Sequence, residues 1–270
     1  MGSSDTATTS LPERVRVSLL ALCLLAGGAC LSPWAAAHAA AIPPAVSAAI
    51  SDPARPDTDS ARDADRKPAE TLAFAGVKGG DKVGDYAPGG GYFTRLFAAL
   101  VGPGGHVYAS VPSGLFRYAN IVKGIAAIET YAAAHANVTV TFGSALDAAK
   151  YPEKLDLFWI SQNYHDLHDS FMGPVDMLAF NAAVFAALKP GGAYVILDHL
   201  AARGSPPEVT DTLHRIEPAT VRREVEAAGF RLVAQSDVLA NPADPHTAGV
   251  FDPSIRGHTD QFILKFIKPM

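Results

Sequence analysis

From Lys82 onward, short apolar runs bounded by glycines alternate with segments whose apolar positions recur at helical spacing. The run "KVGDY" (Lys82 to Tyr86) predicts a first strand, and three glycines, Gly89 to Gly91, close it. Phe93, Leu96, Phe97 and Leu100 then fall at i, i+3, i+4 and i+7, which predicts an amphipathic helix stopped by Gly102 to Gly105. His106 to Ala109 predict a second strand, Ile121, Ile125 and Ile128 the next helix, and the β-branched run from Val138 to Phe142 a third strand. "LDLFWIS" from Leu155 predicts the fourth. Met177, Phe180, Val184 and Leu188 stripe a further helix, which "KPGG" ends before a buried fifth strand reaching Asp198. Pro218 opens a last helix with Val221, Val225 and Ala228 inward and Gly229 at its end; "FRLVAQSD" and "QFILKFI" (Gln261 to Ile267) complete the strands. Upstream, Pro68 suits a first helical turn, Leu72 faces inward, and Gly79-Gly80 are expected to stop that helix.

This alternation predicts an α/β fold: a mostly parallel sheet with helices on both faces, built from right-handed crossovers and binding ligands at the carboxyl ends of its strands. No helix separates the last two strands, so that pair is expected to be antiparallel.

The first forty residues follow another pattern. Arg14 and Arg16 precede an apolar stretch from Val17 to Leu31, and "WAAAHAAAIPP" follows. That is the layout of a secretory signal, with cleavage expected after Ala39. The apolar run, about fifteen residues, is shorter than the roughly twenty that a membrane-spanning helix needs. Both cysteines, Cys23 and Cys30, fall within this segment; a lipid anchor at Cys30 is the alternative, but "GGAC" lacks the aliphatic residue three positions earlier. The expected organisation is a signal peptide at 1–39, an extended leader at 40–65 rich in Pro, Asp, Ser and Ala, and one domain at 66–270, in a periplasmic or secreted protein with no stable membrane insertion after cleavage. A net charge of -5 with no dense Lys/Arg stripe argues against nucleic acid as a partner.

The glycine turn "DYAPGGGYFT" (Asp85 to Thr94) lets a ligand approach backbone at a helix start. A dinucleotide fingerprint would place a third glycine where Thr94 stands, which counts against a nicotinamide cofactor. Together with "AALKPGGAYVILD" and "VRREVEAAGFRLV", in that order, the turn resembles the class I S-adenosylmethionine-dependent methyltransferases over most of Pro68 to Pro269, and the signal segment with "SQNYHDLHD" resembles an exported bacterial subgroup of predicted methyltransferases. The resemblance implies a Rossmann-like seven-stranded sheet with an antiparallel final strand, S-adenosylmethionine as cofactor, and a small-molecule acceptor. It also implies that Asp85 orients the amino-acid end of the cofactor, that Gly89 and Gly91 let it lie close, that Ser144 and Ala145 flank the adenine, and that Asn163 joins the cofactor site. Ala87 stands where the family has its first glycine and is accommodated if its φ is negative. Ser110, with Val111, stands where the family ends its second strand in a ribose-binding carboxylate.

"SQNYHDLHD" (Ser161 to Asp169) sets Asn163, Tyr164, His165, Asp166 and His168 just past the fourth strand, and Asp198-His199 end the fifth beside it. Methyl transfer needs an aligned and, for some acceptors, deprotonated nucleophile. His165 is the expected base, with Tyr164 positioning substrate, Asp166 orienting an imidazole and His199 near; a helix-capping loop is the bland reading of the same residues. His214 converges from a later segment. Carboxylates and imidazoles from three loops also suit a divalent metal, although His165 and His168 match no specific metal motif and a metal is the less favoured reading. The "NPADPH" and "FDPSIRGHTD" segments are expected to cover the substrate pocket. A non-catalytic binding protein that kept the fold is the alternative function.

Overall fold

The computed structural model describes residues 41–270; the expected signal segment at 1–39, with Cys23 and Cys30, lies outside the described residues. Four short helices, α1 (Pro44–Ile50), α2 (Asp57–Ser60), α3 (Asp63–Arg66) and α4 (Pro68–Ala75), precede β1 (Lys82–Tyr86). The chain continues through α5 (Tyr92–Val101), β2 (His106–Pro112), α6 (Ala119–Ala134), β3 (Val138–Gly143), β4 (Leu155–Ser161), α7 (Met177–Ala187) and β5 (Leu188–His199). It ends with α8 (Val209–Leu213), α9 (Pro218–Ala227), β6 (Arg231–Ser236) and β7 (Gln261–Ile267).

The strands form one sheet of seven in the order β3-β2-β1-β4-β5-β7-β6. β7 lies antiparallel between β5 and β6, and the other strands share one direction. The antiparallel ending expected from the missing helix is therefore present. Strand side chains alternate across the sheet, so β4 sends Phe158 and Ile160 into one apolar layer with Tyr86, Phe180 and Tyr194, and Leu157 and Trp159 into the other with Leu96, Phe97 and Val195. The chain reverses its direction of travel across the sheet between β1 and β4, which opens a crevice beyond the carboxyl ends of those two strands.

Three expectations are corrected. The stretch read as an extended leader carries α1, α2 and α3, and Val46 and Ala49 of α1 are buried in the same apolar layer as Leu72 and Leu96. Long-range ion pairs hold the rest of it: Arg95 of α5 grips Asp59 through Nε at 2.6 Å and Nη2 at 2.9 Å, and Asp63 accepts from Arg55 at 2.7 Å and from the Tyr92 hydroxyl at 2.6 Å. The α4 helix ends earlier than Gly79, because Gly76 takes the left-handed conformation (φ 77°) that its C-terminal turn requires. β5 begins at Leu188 rather than after "KPGG", with a register irregularity against β4 between Leu155 and Leu157. Among the described residues no helix is long and apolar enough to cross a membrane.

Candidate functional site

The first half of the site is the turn from β1 into α5. Ala87 has φ 55°, so the expected negative φ is corrected: the alanine occupies the left-handed region that the family's glycine would fill. Such a position costs an L-residue about 1–2 kcal/mol. It is held by its own N–H, which donates to the Ser110 carbonyl at 2.8 Å and ties the end of β1 to β2. Gly91 (φ 81°) begins α5, and a Cβ there would stand 2.8 Å from Cγ1 of Ile128 on α6. Around the Cβ position of Gly89 (φ 56°) there is open space, so this is where a ligand can meet bare backbone.

Asp85 lies beneath this turn, 2% exposed, accepting from the Thr94 hydroxyl at 2.6 Å. Burial pushes its carboxyl up to about 7, against the opposing effects of the Thr94 hydrogen bond and the charges of Arg66 and Arg95. Thr94, which displaces the dinucleotide glycine, is thus the partner that keeps Asp85 in place. Arg66 from α3 lies over the rings of Tyr92 (4.7 Å) and Phe93 (5.5 Å) and donates to Gln162 Oε1 at 3.1 Å. Its guanidinium bridges the helix after β1 and the turn after β4, and burial with neighbouring Arg62 brings it down to about 10.

A carboxyl raised in the fold gives a signed prediction. Unfolded, Asp85 titrates near 3.9. Its protonated form is the one the fold accommodates, so this stability is fully present below about pH 4 and is lost as pH rises through about 7. In thermal melts the gap between Asp85→Asn and the wild type should move in favour of Asp85→Asn between pH 5 and pH 8; a gap independent of pH would contradict a raised carboxyl.

The remaining cofactor candidates divide. Ser110 is fully buried; its hydroxyl donates to the Tyr151 hydroxyl at 3.1 Å and accepts from Thr141 at 3.1 Å, so it is turned into the sheet and is corrected as a ribose ligand. Ser144 donates to Asp147 at 2.7 Å and accepts from the Asp147 N–H, forming a local turn beyond β3. Ala145 is buried with its carbonyl on the Tyr86 hydroxyl at 2.9 Å, leaving only backbone edges of this segment for a ligand. Asn163 donates to Asp166 Oδ2 at 2.6 Å and so orients that carboxylate.

The second half of the site gathers at the carboxyl ends of β4 and β5. His165, in a single 3-10 turn (His165–His168), places Nδ1 2.8 Å from Asp198 Oδ1 and Nε2 3.2 Å from Asp166 Oδ1. Burial alone would lower this imidazole, but the charges of Asp198 and Asp166 on either side raise it well above its ordinary value. With Nδ1 on Asp198 and Nε2 against Asp166 in the interior, His165 turns neither nitrogen toward the open cleft, which is not the geometry expected of a base. His214 Nδ1 lies 3.6 Å from the same Asp166 oxygen, from a left-handed backbone (φ 53°). His199 is buried with Nδ1 on Thr259 Oγ1 at 2.7 Å, and burial pushes its imidazole down to about 3. Tyr164 points away: its ring is fully buried, and its hydroxyl accepts from Asn181 at 3.0 Å and donates to Glu224 at 2.9 Å. Its expected role in positioning substrate is corrected to bracing α7 and α9 on the sheet.

Phe251 of the late loop lies 5.1 Å (ring centroids) from His214. Beside the cluster opens a cleft of about 890 Å³, lined in part by His168, Asp169, Thr210, Arg223 and Glu224. That volume suits a small molecule. Among the residues the sequence reading did not place in the site, Gln162 (φ 60°) joins the two halves, accepting from Arg66 and donating to Gln261 at 2.9 Å.

No protein-family model matches the chain, and a search of curated proteins finds no match. Solved structures do share its fold. The glycopeptide N-methyltransferase MtfA complexed with sinefungin is similar at 18% identity and a TM-score of 0.51, over 80% of this chain and 89% of that one. An arsenic(III) S-adenosylmethionine methyltransferase from Chlamydomonas reinhardtii is similar at 17% identity and a TM-score of 0.51, over 84% and 74% of the two chains. At such identities the likeness establishes the fold: a Rossmann-like methyltransferase fold with the antiparallel strand inserted before the last.

Proposed function

We propose that this chain is an exported S-adenosylmethionine-dependent methyltransferase whose acceptor is a small molecule. The observation that carries the reading is Asp85, a buried carboxyl beneath an open glycine turn at the crevice of this fold. A carboxyl there suits a ligand bearing an ammonium and a sulfonium, whose charge would draw Asp85 back to its ionised form, rather than a pyrophosphate, which is the difference between S-adenosylmethionine and a dinucleotide. Arg66 lies close enough to influence Asp85 and carries the complementary charge for the cofactor's carboxylate. The two solved structures above, named for methyltransferases, support the same cofactor. The cleft beside His168 and Glu224 supports a small acceptor, and the segment at 1–39 supports export. In this reading the cofactor supplies the methyl group, Asp85 and Arg66 hold its amino-acid end, and the carboxylates past β4 and β5 face the acceptor side.

The non-catalytic alternative draws on Ser110, whose hydroxyl is committed within the sheet where a ribose carboxylate is expected. Calorimetric titration separates the two. S-adenosylmethionine or its demethylated product should bind one equivalent, and Arg66→Ala should weaken binding roughly tenfold or more, the value of one charge-assisted hydrogen bond. No binding of either compound at millimolar concentration overturns the cofactor assignment and leaves the binding-protein reading.

A further inference from the structure

We propose that His165, Asp166 and His214 form a binding site for one first-row divalent transition-metal ion. Two imidazoles and one carboxylate are the donor set of open-sided transition-metal sites, in which remaining positions are left to water or substrate. One ligand atom from each residue lies within 4.8 Å of the other two. Around Asp166 Oδ1 the spacing is tighter, 3.2 Å to His165 Nε2 and 3.6 Å to His214 Nδ1. Ligands about 2.1 Å from a shared ion stand roughly 3.0–3.5 Å from one another, so closing the cluster around an ion takes a contraction of little more than about 1 Å in any pair.

The surroundings add a second, independent observation. His165 meets Asp198 through Nδ1 at 2.8 Å, which turns Nε2 toward Asp166, and Asn163 holds Asp166 through Oδ2 at 2.6 Å, which leaves Oδ1 for the ion. A carboxylate behind a ligating histidine and a hydrogen bond behind a ligating carboxylate are the usual outer supports of a metal site. His214 reaches the cluster only through its left-handed backbone, the kind of local strain that persists where surrounding structure fixes it. Its side chain is partly exposed, whereas His165 and Asp166 are buried, so an ion would enter from the His214 side.

The proposal does not rest on methyl transfer and is tested without S-adenosylmethionine. The full chain, stripped with chelator, is titrated calorimetrically with Zn²⁺ and Mn²⁺, with Mg²⁺ as the oxygen-preferring comparison, and metal content is measured by plasma mass spectrometry. One equivalent of Zn²⁺ or Mn²⁺ is expected, with Mg²⁺ much weaker. His214→Asn, a residue that tolerates the left-handed backbone, should lower affinity by at least the 10- to 100-fold typical of supporting residues. Exposed His258→Ala should bind like the wild type. A visible Co²⁺ absorption spectrum lost in His214→Asn reports coordination directly, and circular dichroism confirms that the variant folds. No stoichiometric binding of either transition metal to the wild type, or equal binding by a folded His214→Asn, overturns the proposal.

Discussion

Arg215→Ala is expected to destabilise the fold by about 3–5 kcal/mol, read as a lowered midpoint in urea denaturation. The guanidinium has no exposed surface. It faces Asp244 at 2.9 Å from Nη1 and 3.0 Å from Nη2, and donates to the carbonyls of Leu200 (3.0 Å) and Ala248 (3.1 Å). Asp244 itself accepts from the N–H groups of Asp260 at 2.7 Å and His246 at 2.9 Å. One side chain thus binds the exit of β5 to the middle of the loop between β6 and β7, whose end Asp244 holds through the Asp260 N–H. Removing it leaves the buried Asp244 carboxylate without its counter-charge and two carbonyls without a donor. Much of the cost is that orphaned charge rather than the pair's net worth, so the double replacement Arg215→Met with Asp244→Leu should recover a substantial part of it. A loss below 1 kcal/mol in Arg215→Ala would show that the loop is held by its apolar contacts instead. Because His214 precedes Arg215, the same anchor governs how the late loop, with Phe251, meets the candidate site.

The sheet and its long helices were legible because their periods are strong: Phe93, Leu96, Phe97 and Leu100 have one possible inward face, and all are buried in α5. The helices α1 to α3 were not legible for the opposite reason. α2 and α3 are held by Arg95 reaching back 36 residues to Asp59 and by Tyr92 reaching Asp63, and α1 by Val46 and Ala49 packing against Leu72 and Leu96; no local window contains those partners. The place of Arg66 was not legible on the same ground, since the rings beneath it come from beyond the glycine turn. At the polar cluster, the convergence of His165, Asp166, Asp198, His199 and His214 followed from parallel-strand topology. The direction of Tyr164 did not, because a tight 3-10 turn sends His165 toward β5 and its predecessor into the opposite apolar layer. Ser110 shows what the alternation along β2 implies: it shares a face with Tyr108, against Tyr151, and therefore turns away from any ligand.

Asp198→Ala is expected to have the other large effect, on stability and turnover together. The carboxylate is fully buried at the end of β5 and accepts three hydrogen bonds: from the His165 N–H at 2.9 Å, from the His165 ring at 2.8 Å and from the His199 N–H at 2.7 Å. Each donor left unsatisfied in the interior costs about 1–3 kcal/mol, so the sum rivals the loss of Arg215. Asp198→Asn keeps the volume and one acceptor oxygen but turns an NH₂ toward a former donor. It should fold with a smaller loss, yet fail to hold His165 in register with Asp166. On the proposed function, stability and activity therefore separate along the series: Asp198→Ala should lose both, while Asp198→Asn should lose methyl transfer out of proportion to its melting temperature and retain S-adenosylmethionine binding at the proposed Asp85 and Arg66 site. If Asp198→Asn turned over like the wild type, the polar cluster past β4 and β5 would be a structural buttress, and the acceptor chemistry would have to lie elsewhere along the crevice.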